Sequence, residues 1–190
     1  MTEITDKRAV LDDAAYRVFF DVGFKAASIS KITEVAGMAT GSFYNYYQSK
    51  EEVFTKIFIA ENKRIYDEML ETVNFDDDVI DIFDEAIERI YRTFKENKIV
   101  AEAINPETIK FLEVALKEQN VEIIFNDYIQ KFTDKKLRES GYSEEQIEEL
   151  YKVSDLLRFF QGHLLLSDNP EYLHSYRTLM RYYVKGVFNS

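Results

Sequence analysis

Apolar residues recur at every third or fourth position through most of the chain, which is the spacing of one helix face. Near the N-terminus, Leu11, Ala15, Val18 and Val22 share such a face in a helix predicted over Lys7–Val22. Runs that alternate strictly between polar and apolar residues are absent from the sequence. The pattern therefore predicts an all-α fold of about nine helices.

Glycines and capping residues divide the first fifty residues into three helices. Gly23 followed by Phe24 is typical of a left-handed C-cap with its hydrophobic contact. Ser28 is placed to cap a second, short helix whose Ile32 faces inward, and Gly37 ends that helix. We expect a third short helix over Thr40–Tyr46.

Capping motifs predict where several later helices begin. Ser49 with Glu52, and Ser143 with Gln146, have the spacing of capping boxes. Residues 105–107 and 169–171 both read Asn-Pro-Glu, an Asn cap followed by proline at the first helical position. The long helix after Ser49 is expected to reach about Thr72.

Composition narrows the class of protein. Hydrophobic residues make up 46% of the chain and there is no cysteine, which excludes disulfides and thiolate metal sites and suits a reducing compartment. No signal peptide or membrane-spanning run is recognisable, so we expect a cytoplasmic protein without a membrane partner. The only histidines are His163 and His174, and there is no metal-binding or Gly-rich phosphate motif. We predict no catalytic residues, metal or cofactor.

The net charge of −11 is distributed unevenly. Residues 1–50 contain 6 basic and 6 acidic side chains, whereas the other 140 residues contain 18 basic and 29 acidic ones. An acidic body would be repelled by phosphate. A nucleic-acid surface, if the protein has one, is therefore expected within the first fifty residues.

The third predicted helix has two contrasting faces. Phe43 and Tyr47 share an inward face with Ala39. The outward face is small and polar: Gly41, Ser42, Tyr44, Asn45 and Gln48. Amide side chains can pair with adenine in the major groove, and a glycine permits close backbone approach. The pattern alone leaves two interpretations open, a recognition helix or a solvated surface helix beside a tyrosine packing cluster.

The spaced residues of this region resemble the N-terminal signature of the tetracycline-repressor (TetR) family over roughly residues 8–55. The resemblance is carried by Gly23–Ile29, Ile32, Ala36–Met38, Thr40–Tyr47 and Ser49–Glu52. It implies a helix-turn-helix DNA-binding domain over residues 1–50 and a ligand-binding and dimerisation domain over residues 51–190. It also implies a homodimer that binds a palindromic operator, with repression as the default role, and a small-molecule effector that releases the DNA.

The resemblance also assigns roles within the DNA-binding region. Tyr44 and Lys50 fall at phosphate-contacting positions. The remaining predicted DNA-binding residues are Ser28, Ser30, Lys31, Thr40, Gly41, Ser42, Asn45 and Tyr46. One departure is Ala39, which stands where the family usually has a hydroxyl that caps the recognition helix; losing such a cap costs about 1 kcal/mol.

The last two predicted helices are broadly apolar and need partners on more than one side. We expect them to form a dimer interface, and an internal core is the alternative from the pattern alone. The interface residues predicted are Leu157, Gly162, Leu165, Tyr176, Leu179, Met180, Tyr183 and Val187.

The aromatic richness of the middle of the chain suggests a pocket for a mainly apolar effector. Candidate pocket residues are Phe111, Phe125, Tyr128 and His163. Two alternatives to a DNA-binding regulator stay open from the sequence. One is a helical dimeric scaffold, which would leave the polar face of residues 40–48 unexplained, and the other is an enzyme built from carboxylates.

Overall fold

The computed structural model describes residues 6–74, 77–118, 133–167 and 169–188, and every regular element among them is helical. This confirms the predicted all-α class. The elements are α1 (Lys7–Ala26), α2 (Ile29–Val35), a first 3₁₀ helix (Thr40–Asn45), α3 (Lys50–Thr72), α4 (Val79–Glu96), α5 (Lys98–Ala101), a second 3₁₀ helix (Glu102–Ile104), α6 (Ile109–Glu118), α7 (133–139), α8 (Glu144–Leu166) and α9 (Pro170–Phe188). None of the described helices is long and apolar enough to cross a membrane.

Side-chain caps fix most of the helix starts where the sequence places them. The Ser28 hydroxyl accepts a hydrogen bond from the Lys31 N–H at 3.2 Å. Ser143 and Gln146 form a complete capping box at the start of α8. Asn105 differs from expectation. Its side-chain oxygen accepts from the Glu107 N–H within a turn, and α6 begins only at Ile109.

The first helix runs past its predicted end at Val22 and continues, after a kink, to Ala26. At the kink, Gly23 has φ 74° and ψ 176°. This combination is accessible essentially only to glycine, and its extended ψ differs from the left-handed helical cap that the sequence suggested. The kink interrupts the helical hydrogen bonds, so the peptide groups around it must find other partners.

The chain divides into two compact units. One comprises residues 1–65 and 96–122, and the other comprises residues 66–95 and 123–190. The first unit extends beyond residue 50 because aromatic rings join its elements: Phe24 packs against Phe54 at 4.9 Å and against Phe111 at 5.3 Å between ring centroids. The division at residue 50 stays a prediction about function.

A buried carboxylate links three helices of the first unit. Glu61 on α3 is 3% exposed, and its carboxylate accepts from Asn97 at 2.6 Å, from Arg64 at 2.7 Å and from Tyr16 at 3.4 Å. Burial opposes ionisation, but the hydrogen bonds from Arg64 and Asn97 outweigh it and hold the pKa of Glu61 below its usual range. The charged form therefore stabilises the contact of α1 and α5 with α3.

The second unit has a core made by α4, α8 and α9. Its buried members are Ile82, Phe83, Ile87, Leu164, Tyr176, Met180 and Val184. Arg177 on α9 pairs with Asp84 at 2.5 Å and with Glu88 at 2.8 Å on α4. The hydrogen bonds from Arg177 lower the pKa of Asp84.

This core corrects part of the predicted dimer interface. Tyr176 and Met180 lie in the cluster with α4, and Val187 packs with Leu137 and Ile147 in a second cluster. Leu165 is also buried, and Leu157 and Tyr183 pack partly against the chain's own core. A helical pattern cannot distinguish a face buried within one chain from a face buried by a partner. Of the predicted set, Leu179 is exposed and Gly162 is half-buried.

Candidate nucleic-acid interface

The segment after Gly37 is anchored by two buried rings. Phe43 and Tyr47 are both buried, as predicted, and their centroids lie 5.9 Å apart. The Tyr47 hydroxyl donates to the Asp12 carboxylate on α1 and accepts from the Lys56 ammonium on α3 at 3.0 Å. Lys56 in turn pairs with Asp12 at 2.5 Å. The end of the segment is thereby held between α1 and α3.

The segment is a 3₁₀ helix over Thr40–Asn45, where the sequence suggested an α-helix. Its N-cap, Ala39, makes no side-chain hydrogen bond, which confirms that the usual hydroxyl cap is missing. Ala39 is also exposed, so its predicted inward position is wrong. That prediction assigned the faces of this segment with α-helical spacing, which a 3₁₀ helix does not have.

The opposite side of this 3₁₀ helix is open to solvent. Tyr44 is 61% exposed, and Thr40, Gly41 and Asn45 are exposed beside it. Ser42 and Tyr46 are half-buried. Thr33 of α2 donates to the Thr40 hydroxyl at 3.4 Å, which ties the neighbouring helix to the start of this surface.

Exposed polar residues also occupy the start of α2, the helix that packs against the first 3₁₀ helix. Ser28, Ser30 and Lys31 are all exposed there. The structure thus places the predicted residues of both elements on the same helix pair. The combination of α2, a turn at Gly37 and a second helical segment with an exposed polar face is a helix-turn-helix.

Lys50 is the predicted site residue whose position differs most from expectation. Its ammonium donates to the carbonyls of Phe24 at 2.9 Å and Ala27 at 3.0 Å, and it lies 4.1 Å from the centroid of the Phe24 ring. Two of its three donors are therefore used within the chain. The sequence suggested a phosphate contact because a lysine at a helix start suits a phosphate as well as a carbonyl.

Several other cations of this unit are also engaged. Arg17 pairs with Asp13 at 2.7 Å, and the Arg8 guanidinium lies 5.3 Å from the centroid of the Tyr47 ring. Within the described residues, Lys25 and Lys31 are exposed and make no ion pair. Lys25 was not among the predicted site residues, although its place three residues before the Ser28 cap was visible in the sequence.

Residues 11–57 match the N-terminal domain of the bacterial regulatory proteins of the tetR family. This part of the chain is therefore similar to the DNA-binding domain of the tetR family. A helix-turn-helix transcriptional regulator of Bacillus subtilis, YhgD, is 30% identical over 69 residues, and the alignment covers 35% of this chain and 36% of that relative. The chain thus matches about a third of this relative's length.

Solved structures of low sequence identity share the whole fold. RolR in complex with resorcinol has a TM-score of 0.66 at 16% identity, covering 92% of this chain and 85% of that one. FadR from Thermus thermophilus in complex with lauroyl-CoA has a TM-score of 0.59 at 20% identity, covering 90% and 92%. The likeness of fold to these structures therefore extends over the body as well as the helix-turn-helix.

The structure describes two of the four predicted pocket residues. Phe111 is half-buried and packs in the aromatic cluster of the first unit, against Phe24 and Phe54. His163 is exposed on α8. Phe125 and Tyr128 lie outside the described residues. Among the described side chains, no group of three or more His, Cys, Asp or Glu is placed to hold a metal ion.

The position of Lys50 leads to a first prediction. Lys50→Met removes two charge-assisted hydrogen bonds to buried carbonyls and should lower the free energy of unfolding by about 1–3 kcal/mol. Urea unfolding of the protein without DNA measures this. Lys31→Met, which removes an exposed lysine that makes no ion pair among the described residues, is the matched control and should unfold like the parent. Parental stability of Lys50→Met would mean that Lys50 has no structural role.

Proposed function

We propose that this protein is a transcriptional repressor that binds a palindromic operator as a homodimer and releases it on binding a small hydrophobic effector. The observation that carries the proposal is the exposed polar face of the first 3₁₀ helix on a fixed, buried base. Phe43 and Tyr47 are buried beneath it, while Tyr44 and Asn45 are exposed to solvent, and the Tyr44 ring packs edge-on against Phe43 with 5.5 Å between ring centroids. Such an arrangement can enter a groove without reorganising the domain.

The exposed groups suit both contacts to base edges and contacts to phosphates. Asn45 can donate to and accept from a base edge, and hydroxyls such as those of Tyr44, Ser28 and Ser30 can donate to phosphate oxygens. Lys25 and Lys31 supply positive charge beside them. The remainder of the chain carries the net negative charge, which favours contact with DNA through this region alone.

Selection of bound duplexes from random sequence tests the DNA-binding part of the proposal. The parent should enrich a palindrome, and Tyr44→Ala should lower affinity for all selected sequences by roughly tenfold through a lost phosphate contact. Asn45→Ala should instead relax preference at one or two base pairs. Val114→Ala removes a similarly exposed side chain on α6 and should bind like the parent. If both recognition variants keep the parent's affinity and sequence preference, the surface is wrongly assigned.

Exposed apolar stripes on α8 and α9 support the proposed homodimer. On α9, Tyr172, Leu179 and Tyr182 are 56%, 49% and 71% exposed at spacings of seven and three residues. On α8, Val153 and Leu156 are exposed three residues apart. Spacings of three and four place these residues on one side of each helix, the pattern of a helix-helix seam. A pair of such helices from each protomer would bury both stripes in a four-helix interface.

Gly162 is consistent with such an interface. A Cβ built on Gly162 would meet nothing within 4 Å in the single chain, so its lack of a side chain serves no internal packing. A mid-helix glycine costs about 1 kcal/mol relative to alanine. Close approach of a partner helix would offset that cost, and this contact is part of the proposal.

Charge within the stripe should break the dimer. Leu179→Glu and Leu156→Glu each place a carboxylate where a partner helix would bury it, so sedimentation equilibrium should show monomers. The monomers should bind the operator at least about tenfold more weakly, because one half-site contact is lost. Val114→Glu adds the same charge on α6 and should leave assembly unchanged. A parent that sediments as a monomer while binding a palindrome tightly would contradict the proposal.

The effector class is proposed from the relatives' ligands together with the aromatic composition. Resorcinol and lauroyl-CoA, bound by RolR and by the Thermus FadR, share an apolar part and little else. We expect thermal stabilisation by acyl chains, neutral aromatics or hydrophobic cations, and release of DNA by the same compounds. Thermal shift followed by a gel-shift release assay measures both. Hydrophilic anions as the only active compounds would contradict an apolar effector.

A further inference from the structure

We propose that Glu102 is a positioning residue for the DNA-reading surface: its buried carboxylate holds the kinked end of α1 and so fixes the path from α1 into α2. The proposal rests on the DNA-binding function proposed above. It assigns a positioning role to the second 3₁₀ helix (Glu102–Ile104).

Both oxygens of the Glu102 carboxylate accept hydrogen bonds, and the residue is only 8% exposed. Its Oε1 accepts from the Phe24 backbone N–H at 3.0 Å. Its Oε2 accepts from the Asn105 side-chain amide at 2.6 Å and lies 3.1 Å from the Thr108 hydroxyl, whose single proton it shares with the Glu102 carbonyl at 2.7 Å. One oxygen therefore faces the kink in α1, and the other faces the turn that leads into α6.

The peptide group that Glu102 holds lies beside the Gly23 kink. With φ 74° and ψ 176° at Gly23, the Phe24 N–H points away from the helical ladder. A side chain at position 23 would be strained, and its Cβ would lie 3.3 Å from Glu102 Oε1. The glycine thus creates the unsatisfied donor and also leaves room for its acceptor.

Phe24 is also held through its carbonyl by Lys50, the first residue of α3. The Phe24 carbonyl accepts from Lys50 at 2.9 Å, and the Ala27 carbonyl accepts from the same ammonium at 3.0 Å. Ser28, the cap of α2, follows directly. Ser28, an exposed residue of the proposed DNA surface, therefore lies four positions after Phe24, whose N–H is bound by Glu102.

A second contact strengthens the hold on α1. Lys98 on α5 donates to the Asp21 carbonyl, two residues before the kink at Gly23. Lys98 and Glu102 together span the kink, one bonding before Gly23 and the other after it. A displacement of Asn105 or Thr108 would reach Phe24 through the Glu102 carboxylate. This provides a short mechanical route from the start of α6 to the helix-turn-helix of α2 and the first 3₁₀ helix, which we call the head.

A purely structural role and a positioning role predict different behaviour in folded protein. If Glu102 only adds stability, a folded Glu102→Ala protein will bind the operator like the parent. If Glu102 positions the head, the folded variant will expose the Phe24 amide and bind more weakly. Glu102→Gln keeps an acceptor of the same shape for the Phe24 N–H, although its NH2 group then faces the Asn105 amide, and it should restore most of both properties.

The experiment uses the full chain, the operator selected with the parent, and a temperature well below the unfolding of every variant. Glu102→Ala should weaken operator binding by about tenfold, within the usual range of coupling between sites, whereas Glu102→Gln should stay within about threefold of the parent. Hydrogen exchange in the peptide covering residues 21–28 should speed up in Glu102→Ala alone. Asp78→Ala is the control. It makes the same charge change and removes a cap of α4, which belongs to the other compact unit, and it should alter neither operator binding nor exchange in residues 21–28.

Parental affinity and exchange in folded Glu102→Ala would overturn the proposal while leaving operator binding intact. A parent that selects no DNA would instead contradict the proposed function, and with it any role of Glu102 in DNA reading. If Glu102→Ala does not fold, Thr108→Val removes one donor from the same carboxylate at little change in volume. It should weaken binding in the same direction by a few-fold, and unchanged binding would again overturn the proposal.

Discussion

The bend at Gly23 is the constraint on which the first unit depends. A helix that leaves regular geometry inside a packed unit must satisfy the peptide groups it releases, since each unsatisfied one costs about 1–3 kcal/mol. Lys98 bonds to the Asp21 carbonyl, Glu102 to the Phe24 N–H, and Lys50 to the Phe24 and Ala27 carbonyls. The bend therefore recruits α3, α5 and the second 3₁₀ helix around a few peptide groups, and this explains why the packing unit is larger than the helix-turn-helix.

Both ends of the helix-turn-helix are positioned against α1. Its start follows the bend, and its end is held by Tyr47, whose hydroxyl bonds to Asp12 on α1 and to Lys56 on α3. Burial opposes protonation of Lys56, but the bonds to Asp12 and Tyr47 outweigh it and raise its pKa. Its contribution is complete below its unfolded pKa and is lost as pH rises through the folded value. Glu61, whose pKa is lowered, contributes above its unfolded pKa and loses this as pH falls through the folded value. Both contacts are therefore intact between about pH 5 and pH 10.

What could be predicted from the sequence is what depends on neighbouring residues. The caps at Ser28 and Ser143 and the inward rings of Phe43 and Tyr47 follow from local spacing, and the structure confirms them. The partners of Lys50 lie 23 and 26 residues away, and no local pattern specifies such a contact. The division of α9 into an inner face and an outer face likewise required the position of α4. Phe111 illustrates a related difficulty, because an apolar ring gives the same sequence pattern whether it lines a cavity or packs within an aromatic cluster.

The use of basic residues inside the first unit has a consequence for the proposed DNA binding. Lys50, Lys56 and Arg17 are engaged in contacts within the chain, and Lys25 and Lys31 remain exposed near α2 without an ion pair in the described residues. Salt-dependent affinity grows with the number of phosphates neutralised, so a head with few available cations gains little from counterion release. Binding would then depend on neutral hydrogen bonds, from Tyr44 to phosphate, which positions the helix-turn-helix, and from Asn45 to base edges, which discriminates among sequences. A single head of this kind holds DNA weakly, and two heads joined rigidly would multiply a small advantage at each half-site. Small changes in the spacing of the two heads would then cost most of the affinity, which would suit the proposed release of the operator on effector binding.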